Sequence, residues 1–195
     1  MKNSAQLNSL KDKVKICNNC ELCKTRTKTV FSDGCETAPV MFIGEAPGKN
    51  EDETGIPFIG RAGQLLRKFL FEIGYKQEDF YIANTIKCRP PENRKPTNIE
   101  KEACYGYLEK QIELIDPKII VLVGSTAMES FIEEKTTISK ARGKIFKRKI
   151  AGKERAFMPI FHPSYLLRYH SLEAGSPRYL FKEDLTEIRN LVSEK

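Results

Sequence analysis

Six cysteines, at positions 17, 20, 23, 35, 88 and 104, are the side chains of this sequence with the clearest capacity for chemistry. Three of them form the run Cys17-Asn-Asn-Cys20-Glu-Leu-Cys23, which contains two overlapping C-x2-C pairs. In a chain without signs of secretion, clustered thiols are more often metal ligands than disulfide partners. Cys88 and Cys104 can complete a four-thiolate site, which suits either zinc or an iron–sulfur cluster. The residues therefore predict a metal centre and leave its metal and its fourth ligand open.

Polar side chains also follow three apolar segments of the sequence. The segments that carry them are Gly44-Glu-Ala-Pro-Gly48, Asn84-Thr-Ile-Lys-Cys-Arg-Pro-Pro and His162-Pro-Ser-Tyr-Leu-Leu-Arg168. The first has neither the glycine fingerprint of dinucleotide-binding folds nor that of P-loops, which excludes binding of a nucleotide cofactor.

The hydrophobic pattern places these segments on an alternating series of strands and helices. Apolar runs predict strands at 40–44, 80–83, 119–123 and 157–161, and helical spacing predicts helices at 61–73, 98–115, 125–134 and 179–192. This alternation is typical of an α/β fold whose mostly parallel sheet is covered on both faces. In such folds the loops at the carboxyl ends of the strands build the ligand site, so we expect the three segments to converge.

Composition and charge fit a globular protein. The chain has 195 residues, of which 40% are hydrophobic and 30% charged, and its length favours one domain. The apolar stretch 119–124 is too short to cross a bilayer, and the N-terminus lacks the apolar region of a signal peptide, so we expect a cytoplasmic protein without a membrane partner. A net charge of +7 suits a polyanionic partner such as nucleic acid, but it also suits a solvated surface.

Together with Thr54-Gly-Ile-Pro-Phe-Ile-Gly-Arg-Ala-Gly63, the three segments resemble the motifs of the family-four uracil-DNA glycosylases, the iron–sulfur branch of their superfamily. The resemblance runs from about Cys17 to the C-terminal helix. It implies a three-layer α/β/α sandwich around a four-stranded, mostly parallel sheet. We expect one glycosylase-like domain over residues 1–195, to which the metal site ties an N-terminal cysteine-bearing segment of about residues 1–35.

The resemblance also implies a cofactor, one 4Fe-4S cluster per chain. Its expected ligands are Cys17, Cys20, Cys88 and Cys104. The family pattern does not require Cys23 or Cys35, and we treat these two thiols as spectators.

The implied activity is base excision repair: the enzyme flips uracil out of DNA and hydrolyses its N-glycosidic bond, which leaves an abasic site. The amide of Asn84 can accept a hydrogen bond from uracil N3–H and donate one to O4, and it opposes the reversed pattern of cytosine. His162 is expected to donate to O2, where negative charge develops. Phe58 is expected to stack on the base. Glu51 is predicted either to line the pocket or to help place the attacking water.

The first segment is expected to supply further contacts to the base, from Gly44, Glu45 and the backbone near Ala46. Ala46 stands where the best-known branch of the superfamily has aspartate, so no carboxylate positions water there. The stretch 90–96 contains no histidine, whereas a cross-linking relative carries one there. We therefore expect ordinary turnover rather than covalent trapping.

The segment after His162 is predicted to contact DNA through Ser164, Leu166, Leu167 and Arg168. The two leucines would form a wedge that enters the duplex while Arg168 meets a phosphate, although both leucines suit the core equally well. Lys87 and Arg89 are also expected to contact phosphates.

Two other function classes remain open at this point, an iron–sulfur electron-transfer protein and a non-catalytic, metal-stapled nucleic-acid-binding module. Neither class needs polar groups that converge in a base-sized pocket, so the placement of Asn84 and His162 separates them from the glycosylase. The expected partner of the glycosylase is uracil-containing DNA, and the expected state is a monomer.

Overall fold

The computed structural model describes residues 2–193. Its helices are α1 (Lys2–Lys15), α2 (Lys49–Thr54), α3 (Arg61–Glu72), α4 (Asn98–Ile115), α5 (Ser125–Glu129), α6 (Ile138–Ala141), α7 (Pro163–Leu166) and α8 (Pro177–Ser193). Its strands are β1 (Asp33–Gly34), β2 (Val40–Gly44), β3 (Phe80–Asn84), β4 (Ile119–Val123), β5 (Phe146–Ile150) and β6 (Lys153–Ile160). Short 3-10 turns cover Glu21–Lys24, Gln77–Asp79 and Pro91–Asn93. The alternation of strands and helices confirms the predicted α/β class.

The strands of this described region form one mixed sheet in the order β1-β3-β2-β4-β6-β5. Its centre, β3-β2-β4-β6, is parallel and corresponds to the four predicted strands. Antiparallel strands β1 and β5 are added at the two edges, so the prediction of a four-stranded sheet is wrong. Edge strand β5 was missed because its sequence, FKRKI, carries charges on the side that faces water.

The central strands bury both of their faces. Alternate residues of β2 enter different apolar cores: Met41 and Ile43 pack in one, and Val40 and Phe42 pack in the other. Side chains of α1, α4 and α5 complete the first core, and side chains of α3 and α8 complete the second. Continuous apolar runs such as VMFIG result from this two-sided burial, which is why these strands could be predicted from the sequence.

Helix α4 has the predicted bounds because both of its ends are defined by local interactions. At its start, the Thr97 side chain accepts a hydrogen bond from Glu100 N at 3.2 Å, and the Glu100 carboxylate accepts one from Thr97 N at 2.8 Å. Arg94 donates two further bonds to this carboxylate, at 2.6 and 2.9 Å, and holds the pKa of Glu100 down at about 2. The cap therefore fixes the position at which the loop after β3 enters α4, the helix that carries Cys104.

Helix α1 has no counterpart in the sequence-based prediction. Its sequence is mostly polar, and Leu7 and Val14 are its buried apolar residues. These two side chains belong to the core that α4 also joins. No helix within residues 2–193 has the length and apolar character needed to cross a membrane.

Candidate active site and metal centre

The three chemistry-bearing segments meet at the carboxyl ends of the parallel strands, as the topology predicts. Register places Gly44 of β2 opposite Asn84 of β3, and His162 is the second residue after the end of β6. Between them lies a pocket of about 410 Å³, which we call the strand-end pocket. Predicted residues that line it are Glu45, Ala46, Glu51, Phe58, Asn84, His162 and Ser164.

Asn84 is the polar group at the floor of the strand-end pocket. Its side chain belongs to a residue that is 2% exposed, and its Oδ1 has no hydrogen-bond partner within the described chain. Gly44 makes room for it, because a Cβ on Gly44 would lie 2.5 Å from Asn84 Oδ1 and 2.5 Å from Phe58 Cζ. A buried acceptor without a donor costs about 1–3 kcal/mol. The pocket therefore has a place for a ligand that brings an N–H or O–H group to Asn84.

Phe58 forms an apolar wall of the same pocket. Its residue is 7% exposed, and its backbone φ of 55° lies in the left-handed region that non-glycine residues rarely adopt. Gly63 packs directly beneath, since a Cβ there would come within 2.1 Å of the Phe58 carbonyl carbon. The ring centroids of Phe58 and His162 are 6.3 Å apart. Strained backbone is characteristic of functional sites, and here it presents a planar ring beside two polar groups.

Glu51 joins the two halves of the loop that encloses the pocket. One carboxylate oxygen accepts hydrogen bonds from Ile59 N at 3.0 Å and Gly60 N at 2.7 Å, and the other accepts one from Gly48 N at 3.1 Å. These three bonds hold the segment after Phe58 against the first loop. The two roles predicted for Glu51, contact with the base and placement of water, stay predictions beside this bridging arrangement.

His162 is held by its own neighbour at the start of α7. Its Nδ1 accepts a hydrogen bond from Ser164 N at 3.2 Å and lies 2.6 Å from Ser164 Oγ. Burial lowers the pKa of His162 to about 4, so the ring is neutral near pH 7. Because Nδ1 acts as an acceptor, the proton of the neutral ring resides on Nε2. The site thus offers a neutral, oriented N–H donor.

A second cavity is lined by thiols, and we call it the cysteine cavity. Five of the six cysteines line it, namely Cys17, Cys20, Cys23, Cys88 and Cys104. Cys35 lies apart, with its sulfur 3.3 Å from Thr37 Oγ1. The structure therefore brings the four predicted ligands together and adds Cys23. Within residues 2–193, no group of three ligating side chains is arranged to hold a single metal ion.

Lys87 contacts the cysteine cavity and not the solvent. It is 1% exposed, so the prediction that it meets a DNA phosphate is wrong. Its Nζ donates a hydrogen bond to the backbone oxygen of Asn84 at 2.9 Å. Burial lowers the pKa of Lys87 to about 8, while the thiolates of Cys104 and Cys88 act in the opposite direction.

The groups around the cysteine cavity suit an anionic cofactor bound through sulfur. Burial raises the pKa of Cys104 to about 11 and also raises the pKa values of Cys20 and Cys88, so an empty cavity favours neutral thiols. Arg26 Nη1 donates to Cys88 Sγ at 3.1 Å, and Lys87 adds a second positive charge. Metal binding requires thiolates, and these two cations stabilise them. The residues present therefore fit a multi-thiolate metal group.

Comparisons with known proteins establish the family. Residues 31–187 match the sequence profile of the family described as the Uracil DNA glycosylase superfamily. The chain belongs to this superfamily. It is 43% identical to a Type-4 uracil-DNA glycosylase of Thermotoga maritima over 185 residues, which cover 94% of this chain and 93% of the relative. It is 39% identical to a Type-4 uracil-DNA glycosylase of Archaeoglobus fulgidus over 193 residues, 97% of this chain and 94% of the relative.

A more distant relative shares only part of the chain. A Type-5 uracil-DNA glycosylase of Pyrobaculum aerophilum is 32% identical over 111 residues, which are 49% of each protein. The near-complete coverage of the Type-4 proteins confirms the family-four assignment that the motifs predicted.

The segment after His162 departs from its predicted arrangement within this glycosylase fold. Leu166 is fully buried in the core formed with α3 and α8, so the structure contradicts its predicted role as a wedge. Leu167 is half-buried, whereas Ser164 and Arg168 are exposed, and their contact with DNA stays a prediction. Two aromatic side chains are each 40% exposed here: Tyr165, which lies within the predicted DNA-contacting segment, and Tyr169, which the sequence reasoning missed. Their ring centroids are 4.8 Å apart, which gives this surface an aromatic pair.

Arg89, the other predicted phosphate contact, is half-buried. Its Nε donates to Asn93 Oδ1 at 2.8 Å, and Asn93 lines the strand-end pocket. Sequence reasoning missed Asn93, because nothing in the loop sequence indicates its left-handed backbone (φ of 56°) or its proximity to the pocket.

Proposed function

We propose that this protein is a DNA repair enzyme that removes uracil from DNA by hydrolysis of the N-glycosidic bond. Its relatives of similar length carry the name Type-4 uracil-DNA glycosylase, and the strand-end pocket has the volume range of small-molecule sites. The observation that carries the proposal is the unpaired Oδ1 of Asn84 at the floor of that pocket.

Asn84 would select uracil by the polarity of its hydrogen bonds. Its Oδ1 would accept from uracil N3–H, and its Nδ2 would donate to uracil O4. Cytosine presents an acceptor at N3 and a donor at N4, so the same amide would face it with like groups. A buried site that leaves such groups unpaired discriminates strongly between two ligands of one shape.

His162 would stabilise the base as it leaves. Cleavage of the N-glycosidic bond puts negative charge on the uracil ring, with much of it at O2. A neutral imidazole whose Nε2–H points to O2 stabilises this charge and needs no change of protonation. Ser164 supports the role, because its backbone N–H occupies Nδ1 and fixes the tautomer.

The surrounding residues would shape the site for a flipped base. Phe58 would stack on one face of uracil, and the absence of a side chain at Gly44 lets Phe58 and Asn84 lie close together at the end of β2. Glu45 and Ala46 would add backbone contacts from the first loop. Glu51 is predicted to act on the base or on water, and its three backbone bonds support an added role in positioning Phe58.

The proposed cofactor is one 4Fe-4S cluster bound by Cys17, Cys20, Cys88 and Cys104. When bound, such a cluster supplies a covalent link between distant segments and a fixed negative charge. It would tie the N-terminal segment of about residues 1–35 to the remainder of a single domain that spans residues 1–195. Cys23, although it lines the cavity, is assigned as a spectator together with Cys35.

The proposed partner is uracil-containing DNA, bound by a monomer. Ser164 and Arg168 would contact phosphates, and Leu167 lies beside them on the half-buried side of the segment. We replace the wedge at Leu166 by the exposed pair Tyr165 and Tyr169, whose rings can stack on bases that the flipped nucleotide leaves exposed.

One assay tests the activity. The protein is incubated with an oligonucleotide that contains a single uracil, and alkali then cleaves any abasic site. Cleavage at uracil, and none in matched oligonucleotides with cytosine or thymine, is the expected result. Tight DNA binding without cleavage would favour a nucleic-acid-binding module, and neither binding nor cleavage would favour electron transfer.

A further inference from the structure

A buried lysine lies between the two cavities of the molecule. Lys87 is 1% exposed and lines the cysteine cavity, yet its Nζ donates to the backbone oxygen of Asn84 at 2.9 Å. Asn84 in turn presents its unpaired Oδ1 to the strand-end pocket. A single side chain therefore contacts the walls of both cavities.

The hydrogen bond from Lys87 lies at the end of β3, where pairing with β2 no longer fixes the backbone. Strand β3 ends at Asn84, opposite Gly44, the last residue of β2. Beyond this point Thr85 N still donates to the oxygen of Gly44, at 2.9 Å, but the oxygen of Asn84 receives its bond from a side chain. Fixing this oxygen fixes the last peptide plane of β3, and with it the direction in which the Asn84 amide projects.

The charge of Lys87 requires a partner on its other side. On that side Lys87 lines the cysteine cavity together with Cys88 and Cys104. An ammonium group buried to this extent is costly unless it is paired with negative charge. A metal group bound through thiolates supplies such charge, whereas neutral thiols do not.

We propose that Lys87 is a positioning residue that couples the metal site to base recognition: the bound cofactor holds the ammonium group, and the ammonium group holds Asn84. The inference rests on the proposed function, since it takes Asn84 as the residue that reads uracil and the cysteine cavity as the cofactor site. It assigns to the cofactor a role in orienting the amide of Asn84, in addition to linking distant segments of the chain. No chemical step passes through the metal group.

Three variants test the coupling: Lys87→Met, which keeps the length of the side chain without charge or donor, Lys87→Gln, which keeps a donor without charge, and Lys118→Met. Lys118 is a matched control, because its Nζ also donates to a backbone oxygen at 2.9 Å, that of Val192, on an exposed surface. For each purified holoprotein we would measure iron content, DNA affinity, the single-turnover rate of uracil excision and the reduction potential of the cluster.

In Lys87→Met the excision rate should fall about tenfold or more, with DNA affinity within about twofold of the parent. The reduction potential should move to a more negative value, because a positive charge beside the cluster is lost. Lys87→Gln should show the same shift in potential and a smaller loss of rate. Lys118→Met should match the parent in all four measurements.

Parent-like excision in an iron-loaded Lys87→Met protein would overturn the inference, and so would a lower rate with an unchanged potential. If Lys87→Met does not fold, the potential of Lys87→Gln decides, since a parent-like value contradicts the coupling. A parent protein without iron would instead refute the cofactor assignment. An Asn84→Asp protein with parent-like excision would refute the base-reading role, and both outcomes are distinct from failure of Lys87.

Discussion

The strand-end pocket and the cysteine cavity are both built from segments that are distant in sequence, but they differ in what holds them. In the strand-end pocket the protein supplies its own bonds, such as those from three backbone N–H groups to Glu51 and from Ser164 N to His162. In the cysteine cavity one buried and four half-buried thiols lie with two cations, Arg26 and Lys87. The first site is organised before a ligand arrives, as catalysis requires, whereas the second needs a ligand to complete it.

The largest expected effect is the loss of a ligand from the cysteine cavity. Cys88→Ser should remove a ligand and release the iron, and the free energy of unfolding should fall by on the order of 4 kcal/mol, the scale of a lost metal site. Iron assay, absorbance and thermal unfolding measure it. Cys35→Ser, at a thiol outside the cavity, is the matched control and should keep both iron and stability. If the two variants had the same iron content and the same stability, the cysteine cavity would not be the site that needs a ligand.

The next effect concerns the pocket alone. Asn84→Asp keeps the shape but places a carboxylate opposite uracil O4, so that two acceptors face each other. Excision in single-turnover experiments should fall by at least about a hundredfold, while DNA affinity changes little. Asn8→Asp, on the exposed side of α1, makes the same chemical change far from the pocket and should excise uracil at the parent rate. A parent rate for Asn84→Asp would show that this amide does not read the base.

A smaller effect is expected at the surface that links the pocket to DNA. Arg168→Ala should weaken DNA binding by about 1 kcal/mol and lower the slope of log affinity against log salt by about one. Titrations at several salt concentrations measure both quantities. Lys13→Ala, an exposed charge on α1, should leave the slope unchanged. An unchanged slope for Arg168→Ala would place the DNA on another face.

The smallest expected effect is that of pH on the excision rate. Because burial lowers the pKa of His162 to about 4, its ring stays neutral as pH falls from about 8 to about 5.5, and excision should stay constant over that range. The rate should decrease only as pH approaches 4, where the ring gains a proton. Single-turnover rates at constant ionic strength provide the measurement. An inflection near pH 6.5 would show that His162 titrates as an ordinary, solvated histidine.

The interior of the fold could be predicted from the sequence because burial leaves a strong pattern. Strands β2 and β4 have the predicted bounds, since each is an uninterrupted apolar run. The edges could not be predicted in the same way. Strand β1 is only two residues long, β5 has three consecutive charged residues between its two apolar ends, and α1 buries little of its polar sequence. Elements that contribute few side chains to the core show only a weak pattern of apolar residues in the sequence.

The strand-end pocket was more predictable than its surroundings. Parallel strands place Asn84 and His162 at the same end of the sheet, so their convergence followed from the predicted parallel direction of the strands. Lys87 illustrates the limit: a lysine beside a basic loop suggests a phosphate contact, and only the fold reveals that its Nζ turns inward to Asn84. Leu166 is the converse case: its sequence context suits a DNA wedge and the core equally well, and only the fold shows that it is buried in the core.

The separation of the cysteines along the chain has a consequence for biosynthesis. Under the proposed ligand set, Cys17 and Cys20 leave the ribosome well before Cys88 and Cys104, and the two pairs can meet only after β2 and β3, which lie between them in sequence, have been synthesised. Arg26, which donates to Cys88 Sγ across 62 positions of sequence, is part of that late encounter. Iron incorporation therefore marks a chain in which these two distant pairs of cysteines have come together. A chain that stalls earlier keeps exposed thiols that oxidants attack, so colour in the purified protein is a measure of correct folding as well as of cofactor supply.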